Sequence, residues 1–106
     1  MTALVQLTTL MKTLADPTRR AVFERIAREG EVAATGLVHG SRVSQPAVSQ
    51  HLRALSDAGL VTHESIGTRN LYRIEPARIA EVRDYLDRLW QKALLNLKSR
   101  IEKPHQ

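Results

Sequence analysis

Hydrogen-bonding side chains gather in the run SQPAVSQHLR (44–53) and again at Gly67-Thr68-Arg69-Asn70. Ser49, Gln50 and Arg53 stand at i, i+1 and i+4. On a helix turning by about 100° per residue, that spacing sets them away from an apolar face made by Val48, Leu52 and Leu55. Glu/Lys pairs usually decorate such a surface, and here they are absent. A planar amide and a guanidinium directed outward can pair in bidentate fashion with adenine and guanine edges, each good pair contributing about 1–3 kcal/mol of discrimination. Ser44 and Gln45 fall at the start of this helix, where free amides and the positive end of the helix dipole suit a phosphate. Arg42, in the turn just before, is placed to hold another. At the second cluster, Thr68, Arg69 and Asn70 form a loop tip from which an arginine can enter a narrow minor groove. The plain alternative at each place is a solvated surface, and Ser44 is needed as a cap with or without an anion.

Other chemistries find little support. The 106 residues include no cysteine, which excludes disulfides, thiolate metal sites and thiol redox chemistry within the chain. No Ser-His-Asp spacing, phosphate-cradling glycine loop or metal-ligand cluster is present, so neither an enzyme nor a cofactor is expected. Asp84 and Asp87 have ion-pair neighbours in Arg83 and Arg88 and describe a solvated helix face. His51 and His63 are expected to pack at edges, with no part in ligation. The net charge of +5 points toward an acidic partner, nucleic acid being the commonest. Its distribution is diffuse. Between His39 and Arg73, four arginines (42, 53, 69, 73) oppose Asp57 and Glu64, a local net of only +2. Binding is therefore expected to be salt-dependent and to need two copies of the site.

The elements that must position these residues follow from apolar spacing and from caps. Leu4, Leu7, Met11 and Leu14 form the seam of a first helix. Asp16-Pro17 stops it and starts a second, in which Val22, Phe23, Ile26 and Ala27 make a buried face before Gly30. Residues 32–39 read as a short third helix. Ser44 caps a fourth, which Gly59 ends. Two β-prone runs, Leu60–Ile66 and Leu71–Ile74, flank Gly67–Asn70 and predict a β-hairpin with a four-residue connection. From Pro76 the chain is helical nearly to its end, with one stripe through Ile79, Val82, Leu86, Leu89, Ala93 and Leu97 and a second through Tyr85, Trp90, Leu94 and Ile101. The predicted class is mainly α with a small β-hairpin. The order of elements is that of a winged helix-turn-helix, with 32–58 as the helix-turn-helix and 60–75 as the wing.

The segments LADPTRRAVFERIA (14–27), SQPAVSQHLRALSDAGLV (44–61) and GTRNLYRIEP (67–76) resemble the ArsR/SmtB-type bacterial regulators. The resemblance covers about residues 10–76. It implies a homodimeric winged helix-turn-helix repressor, with the Ser44–Ala58 helix in the major groove and the hairpin along the backbone or minor groove. It also implies that the first and last helices (1–14 and 76–102) form the dimer interface. Leu4, Leu7, Met11, Val82, Tyr85, Leu86, Leu89, Trp90, Ala93 and Leu97 are its expected residues. Metal-sensing members carry a Cys-x-Cys-Asp type of motif whose positions fall here on Ala33, Thr35 and Gly36, none of which ligates a soft metal ion. A second metal site of the family uses Asp/His on the last helix paired with His/Glu farther along, and residues 81–102 contain Asp84, Asp87 and Glu102 but no histidine. The match is to the branch without the metal motif, so no metal ion is expected and the effector is unassigned.

These readings converge on a single domain, 1–106, that binds double-stranded operator DNA as a homodimer. The rival reading is a winged helix used as a protein-interaction module, which apolar groups at Pro46, Gln50, Arg53 and the hairpin tip would favour. Only Pro46 is apolar. No stretch approaches the roughly 20 apolar residues of a membrane span, and the N-terminus lacks the basic start of a signal peptide, so a cytoplasmic protein is expected.

Overall fold

Asp16 ends one helix and begins the next. Its carboxylate accepts the Arg19 amide at 3.0 Å, and Pro17 takes a first-turn position where a missing N–H costs no intrahelical bond. The computed structural model describes residues 3–39 and 42–102, with side chains from Val5 onward. Leu4, expected at the dimer seam, therefore lies outside the described side chains. Helix α1 (Ala3–Leu14) precedes the Asp16 turn and α2 (Pro17–Glu29) follows it. Arg19 and Arg20 reach back over the turn, their Nη1 atoms donating to the carbonyls of Thr13 at 3.3 Å and Leu14 at 2.9 Å. The last carbonyls of α1 thus receive cationic donors from α2, which suits the negative end of a helix dipole.

After Gly30 the chain forms a strand, β1 (Glu31–Ala33), and only then a one-turn helix, α3 (Ala34–Val38). The helix expected over 32–39 is thus shorter than its sequence pattern, because Val32 pairs with Tyr72 in an antiparallel ladder and is buried. That partner lies forty residues away, beyond the reach of local periodicity.

Ser44 caps α4 (Gln45–Asp57), its hydroxyl accepting from the Ala47 amide at 3.4 Å. Val48, Leu52 and Leu55 face inward as expected and are almost wholly buried. The hairpin comprises β2 (Val61–Ile66) and β3 (Arg69–Ile74). Ile66 pairs directly with Arg69, so the connection is the two-residue turn Gly67-Thr68 and not four residues. Gly67 adopts φ +62°, and no non-glycine residue is left-handed among the described residues. A positive first position followed by a negative one matches a type II′ turn, whose twist suits a hairpin. Arg69 and Asn70 consequently belong to β3. With β1 on its other side, β3 is the centre of a three-stranded antiparallel sheet ordered β1-β3-β2.

The core lies between α2, α3, α4 and the inner face of this sheet. Ile26, Leu37, Val48, Leu52, Leu55, Leu60 and Val61 form its centre, with Phe23, Tyr72 and Ile74 packed around them. Glu75 then opens α5 (Pro76–Glu102), its carboxylate accepting from the Ala77 amide at 3.1 Å. The first turns of α5 belong to the domain: Val82 is buried and Ile79 packs on the core, with α1 also lying against this helix. Beyond Tyr85 every residue of α5 is exposed.

Candidate nucleic-acid interface

Helix α4 spans about 20 Å at 1.5 Å per residue, long enough to lie within a major groove. Its buried stripe fixes its roll, and that roll turns Gln45, Pro46, Ser49, Gln50, Arg53 and Asp57 outward. The sheet sets the hairpin beside it. Between α4 and the hairpin runs an open groove of about 590 Å3. Gln45, Ser49 and Arg53 line it from the helix, and Thr68, Arg69 and Asn70 from the hairpin. Six of the nine residues expected to contact DNA are thereby brought to one groove, though they come from segments fifteen or more residues apart. Gln50 is exposed on the outermost face of α4 and lies outside the groove's lining. Arg42 is exposed in the turn before the cap, and Ser44 is committed to Ala47.

Several groove residues were not among those expected. His63 and Tyr72 sit opposite each other on β2 and β3 and stack, with ring centroids 5.1 Å apart. Both line the groove, as do Thr35, Ser56 and Asp57. Alternation along the two strands puts His63, Ser65, Asn70 and Tyr72 on one face once the pairing is known. A two-residue turn would have given that register from sequence. His51, by contrast, is half-buried on α4, and its Nδ1 has no hydrogen-bond partner among the described residues.

The charges in this region are unequal in what they can do. On the outer face of the sheet, Arg73 is held by Glu64 at 2.6 Å and faces Glu31 at 3.7 Å. It braces three strands and is not offered to a ligand. Arg53 and Arg69 have no ion pair among the described residues, and both line the groove, Arg69 at its rim because strand alternation sets it on the same face as Arg73. Asn70 is braced too, its side-chain oxygen accepting the Ser65 hydroxyl at 2.7 Å. Its amide group stays available at the hairpin's edge. The cation pair Arg53/Arg69, opposed by Asp57 alone within the groove, is suited to an anionic backbone crossing between helix and hairpin.

Among the described residues no cluster of three or more His, Cys, Asp or Glu could hold a metal ion. Ala33 closes β1 and Thr35 and Gly36 lie in α3, so the family's cysteine positions carry no donor side chain beyond one hydroxyl.

A helix-turn-helix domain model matches residues 14–64, the stretch from the Asp16 turn through α4 and into β2. The HTH-type transcriptional regulator Rv2034 of Mycobacterium tuberculosis is 48% identical over 81 residues, which span 76% of this chain and 75% of that protein. A solved ArsR-like transcriptional regulator from Rhodococcus sp. RHA1 superposes with a TM-score of 0.76 at 28% identity, over 90% of this chain and 92% of that one. The chain belongs to the ArsR/SmtB family. A third relative is the homodimeric winged helix-turn-helix DNA-binding domain of Mb0332 from Mycobacterium bovis, a possible ArsR-family regulator. It matches at 26% identity with a TM-score of 0.62, over 97% of this chain and 88% of that one. The mostly helical chain of this ArsR/SmtB protein, with its antiparallel hairpin sheet, matches the winged helix-turn-helix structures of the family.

The expected dimer residues fall into three groups. Val82 is buried within the single chain, so its surface is already covered and it has little to offer a partner. Leu7 and Tyr85 are half-buried. Met11, Leu86, Leu89, Trp90, Ala93 and Leu97 are exposed. No helix among the described residues is long and apolar enough to cross a membrane.

Proposed function

We propose that this ArsR/SmtB-family transcriptional regulator is a homodimeric repressor that binds an inverted-repeat operator in double-stranded DNA. The observation that carries this reading is the open groove between α4 and the wing, with unpaired Arg53 and Arg69 on its two sides. Gln50 and Arg53 read base edges. The free amides at the start of α4, with Gln45 and Arg42, meet phosphates. Arg69 and Thr68 approach the adjacent minor groove. Two reading helices about 34 Å apart would match half-sites one helical turn apart, and occupancy of a promoter would occlude it. The protein acts in the cytoplasm, beside the chromosome, without enzymatic activity or cofactor.

The dimer is supported by the surface of the single chain. A compact monomer of 11.9 kDa exposes about 5,900 Å2, whereas this chain exposes 7716 Å2. Its radius of gyration is 18.6 Å against about 13 Å for a compact chain of this length. The excess is concentrated on α5, where Leu86, Leu89 and Leu97 of one stripe and Trp90 and Ile101 of the other are exposed. A second copy covers such stripes through an isologous four-helix contact of α1 and α5. The test is titration of the protein onto the DNA upstream of its own gene and onto a scrambled duplex, at two salt concentrations. Tight binding to the first and weak, steeply salt-dependent binding to the second is expected. Equal affinity for both duplexes would sink the sequence-specific reading.

A further inference from the structure

The reading helix ends in an unusual dependence on another helix. Its final turn is a Schellman motif: Gly59 donates to the Ser56 carbonyl and Leu60 to the Leu55 carbonyl, both at 3.0 Å. Gly59 takes φ +77°, and the accompanying apolar pair, Leu55 and Leu60, is fully buried. A helix C-terminus is stabilised by positive charge, yet the last turn of α4 contains no basic residue and ends on Asp57. The positive charge comes from α5. A Cβ built on Gly59 would meet Arg78 Nη2 at 3.2 Å and Cζ and Nε at 3.3 Å. Three guanidinium atoms at nearly one distance from that point mean that the group lies face-on over the side of Gly59 where a side chain would stand. One step away, the Glu75 amide donates to the Leu60 carbonyl at 2.9 Å. The first turn of α5 is thus joined to the end of α4 at two adjacent points, one of them a stacked cation.

We propose that Arg78 is a positioning residue for DNA reading: its guanidinium, laid on Gly59, fastens the end of α4 to the start of α5, so that the dimer helix sets the angle at which the reading helix meets DNA. Arg78 touches no base. It acts through α4, at the end remote from the Ser44 cap, where a small tilt displaces Gln50 and Arg53. The proposal rests on the dimeric, DNA-reading role given above. It also gives Gly59 a second reason to be glycine, since a Cβ would make the guanidinium give by a few tenths of an ångström.

The experiment compares wild type, Arg78→Ala and Arg78→Lys by two independent measurements. Amide hydrogen exchange at Gly59 and Leu60, without DNA, reads the fastening itself. Exchange is expected to quicken at least tenfold in Arg78→Ala while amides in the centre of α2 keep their protection. Binding is then measured on the selected operator, on the same operator with its half-sites moved apart by one base pair, and on scrambled DNA. Wild type should discriminate sharply between the two spacings. Arg78→Ala should lose at least tenfold in operator affinity and most of that discrimination, with scrambled-DNA affinity and dimer mass unchanged. Arg78→Lys, which keeps the charge but not the plane, should restore the exchange protection only in part and leave the discrimination weak. Unchanged exchange at Gly59 and Leu60 overturns the proposal. So does a parallel fall in operator and scrambled-DNA affinity, which would make Arg78 only a general stabiliser. If wild type itself shows no operator preference, the DNA-reading role fails, while the exchange measurement still decides whether the fastening exists.

Discussion

Leu55 and Leu97 are both leucines at apolar spacing on long helices, yet the first is wholly buried and the second is 55% exposed. They represent two regions of one chain. The winged helix-turn-helix body, from α2 to the first turns of α5, closes around its apolar side chains and buries no charged or polar residue among those described. The distal half of α5 keeps the same hydrophobic period with nothing to bury it against. Periodicity therefore reports that a face will be covered, not by which chain. A body that closes alone gets its shape from its own sequence, whereas the extended half of α5 is where the proposed second copy would pack.

The same substitution in the two regions separates these roles most sharply. Leu55→Ala removes a side chain at 0% exposure, and a core truncation of this kind costs about 2–5 kcal/mol. Its loss of stability should be the same at micromolar and at hundred-micromolar protein. A charged change on the α5 stripe, Leu97→Glu with Leu89→Glu, should leave the circular dichroism of the body intact and convert the dimer to monomer in sedimentation. Operator affinity should then fall by about 10²–10³, because the two half-sites no longer share one effective concentration. If the double variant remains dimeric, the stripe is not the interface.

Within the body, cap and reading residues should separate in turn. Arg53→Ala removes one side of the Arg53/Arg69 pair and should cost about 1–3 kcal/mol of operator binding while changing scrambled-DNA binding far less. Equal losses on both duplexes would make Arg53 a phosphate contact. Asp57→Asn acts in the opposite direction. It removes the one acid that lines the groove and should raise affinity by about two- to fivefold at low salt, an effect that fades as screening grows.

How far the sequence carried this description depends on the range of the interactions. Caps and stops are local, so Asp16, Ser44 and Gly59 marked the helix boundaries correctly, as did Pro76 for α5. The apolar face of α4 followed from Val48, Leu52 and Leu55 alone. What escaped depended on distant partners. Val32 became a strand residue through Tyr72, and Arg69 and Asn70 entered β3 because Ile66 pairs with Arg69. His63 and Tyr72 joined the groove by the same register. Val82 shares the spacing of the exposed stripe, and only the packing of the first turns of α5 into the body hides it. The guanidinium on Gly59 leaves no trace in residue spacing.

The smallest effect concerns the turn that starts the body. The Arg19 amide holds the Asp16 carboxyl below its ordinary value of 3.8, burial opposing, with further lowering by the Thr18 amide and by the nearby charges of His51 and Arg19. A carboxyl whose pKa is lower folded than unfolded stabilises the fold only when ionised. Its contribution is therefore complete above the unfolded value and is lost as pH falls through the lowered, folded one. Asp16→Asn keeps a good capping acceptor but removes the titration. The wild-type thermal midpoint should accordingly exceed that of Asp16→Asn near neutral pH, and the gap should begin to narrow near the ordinary value of 3.8 and close below the lowered, folded one. The difference between the two curves cancels the other carboxylates, which both proteins share. A gap that does not narrow as the carboxyl is protonated would mean that Asp16 acts through its shape as an acceptor and not through its charge.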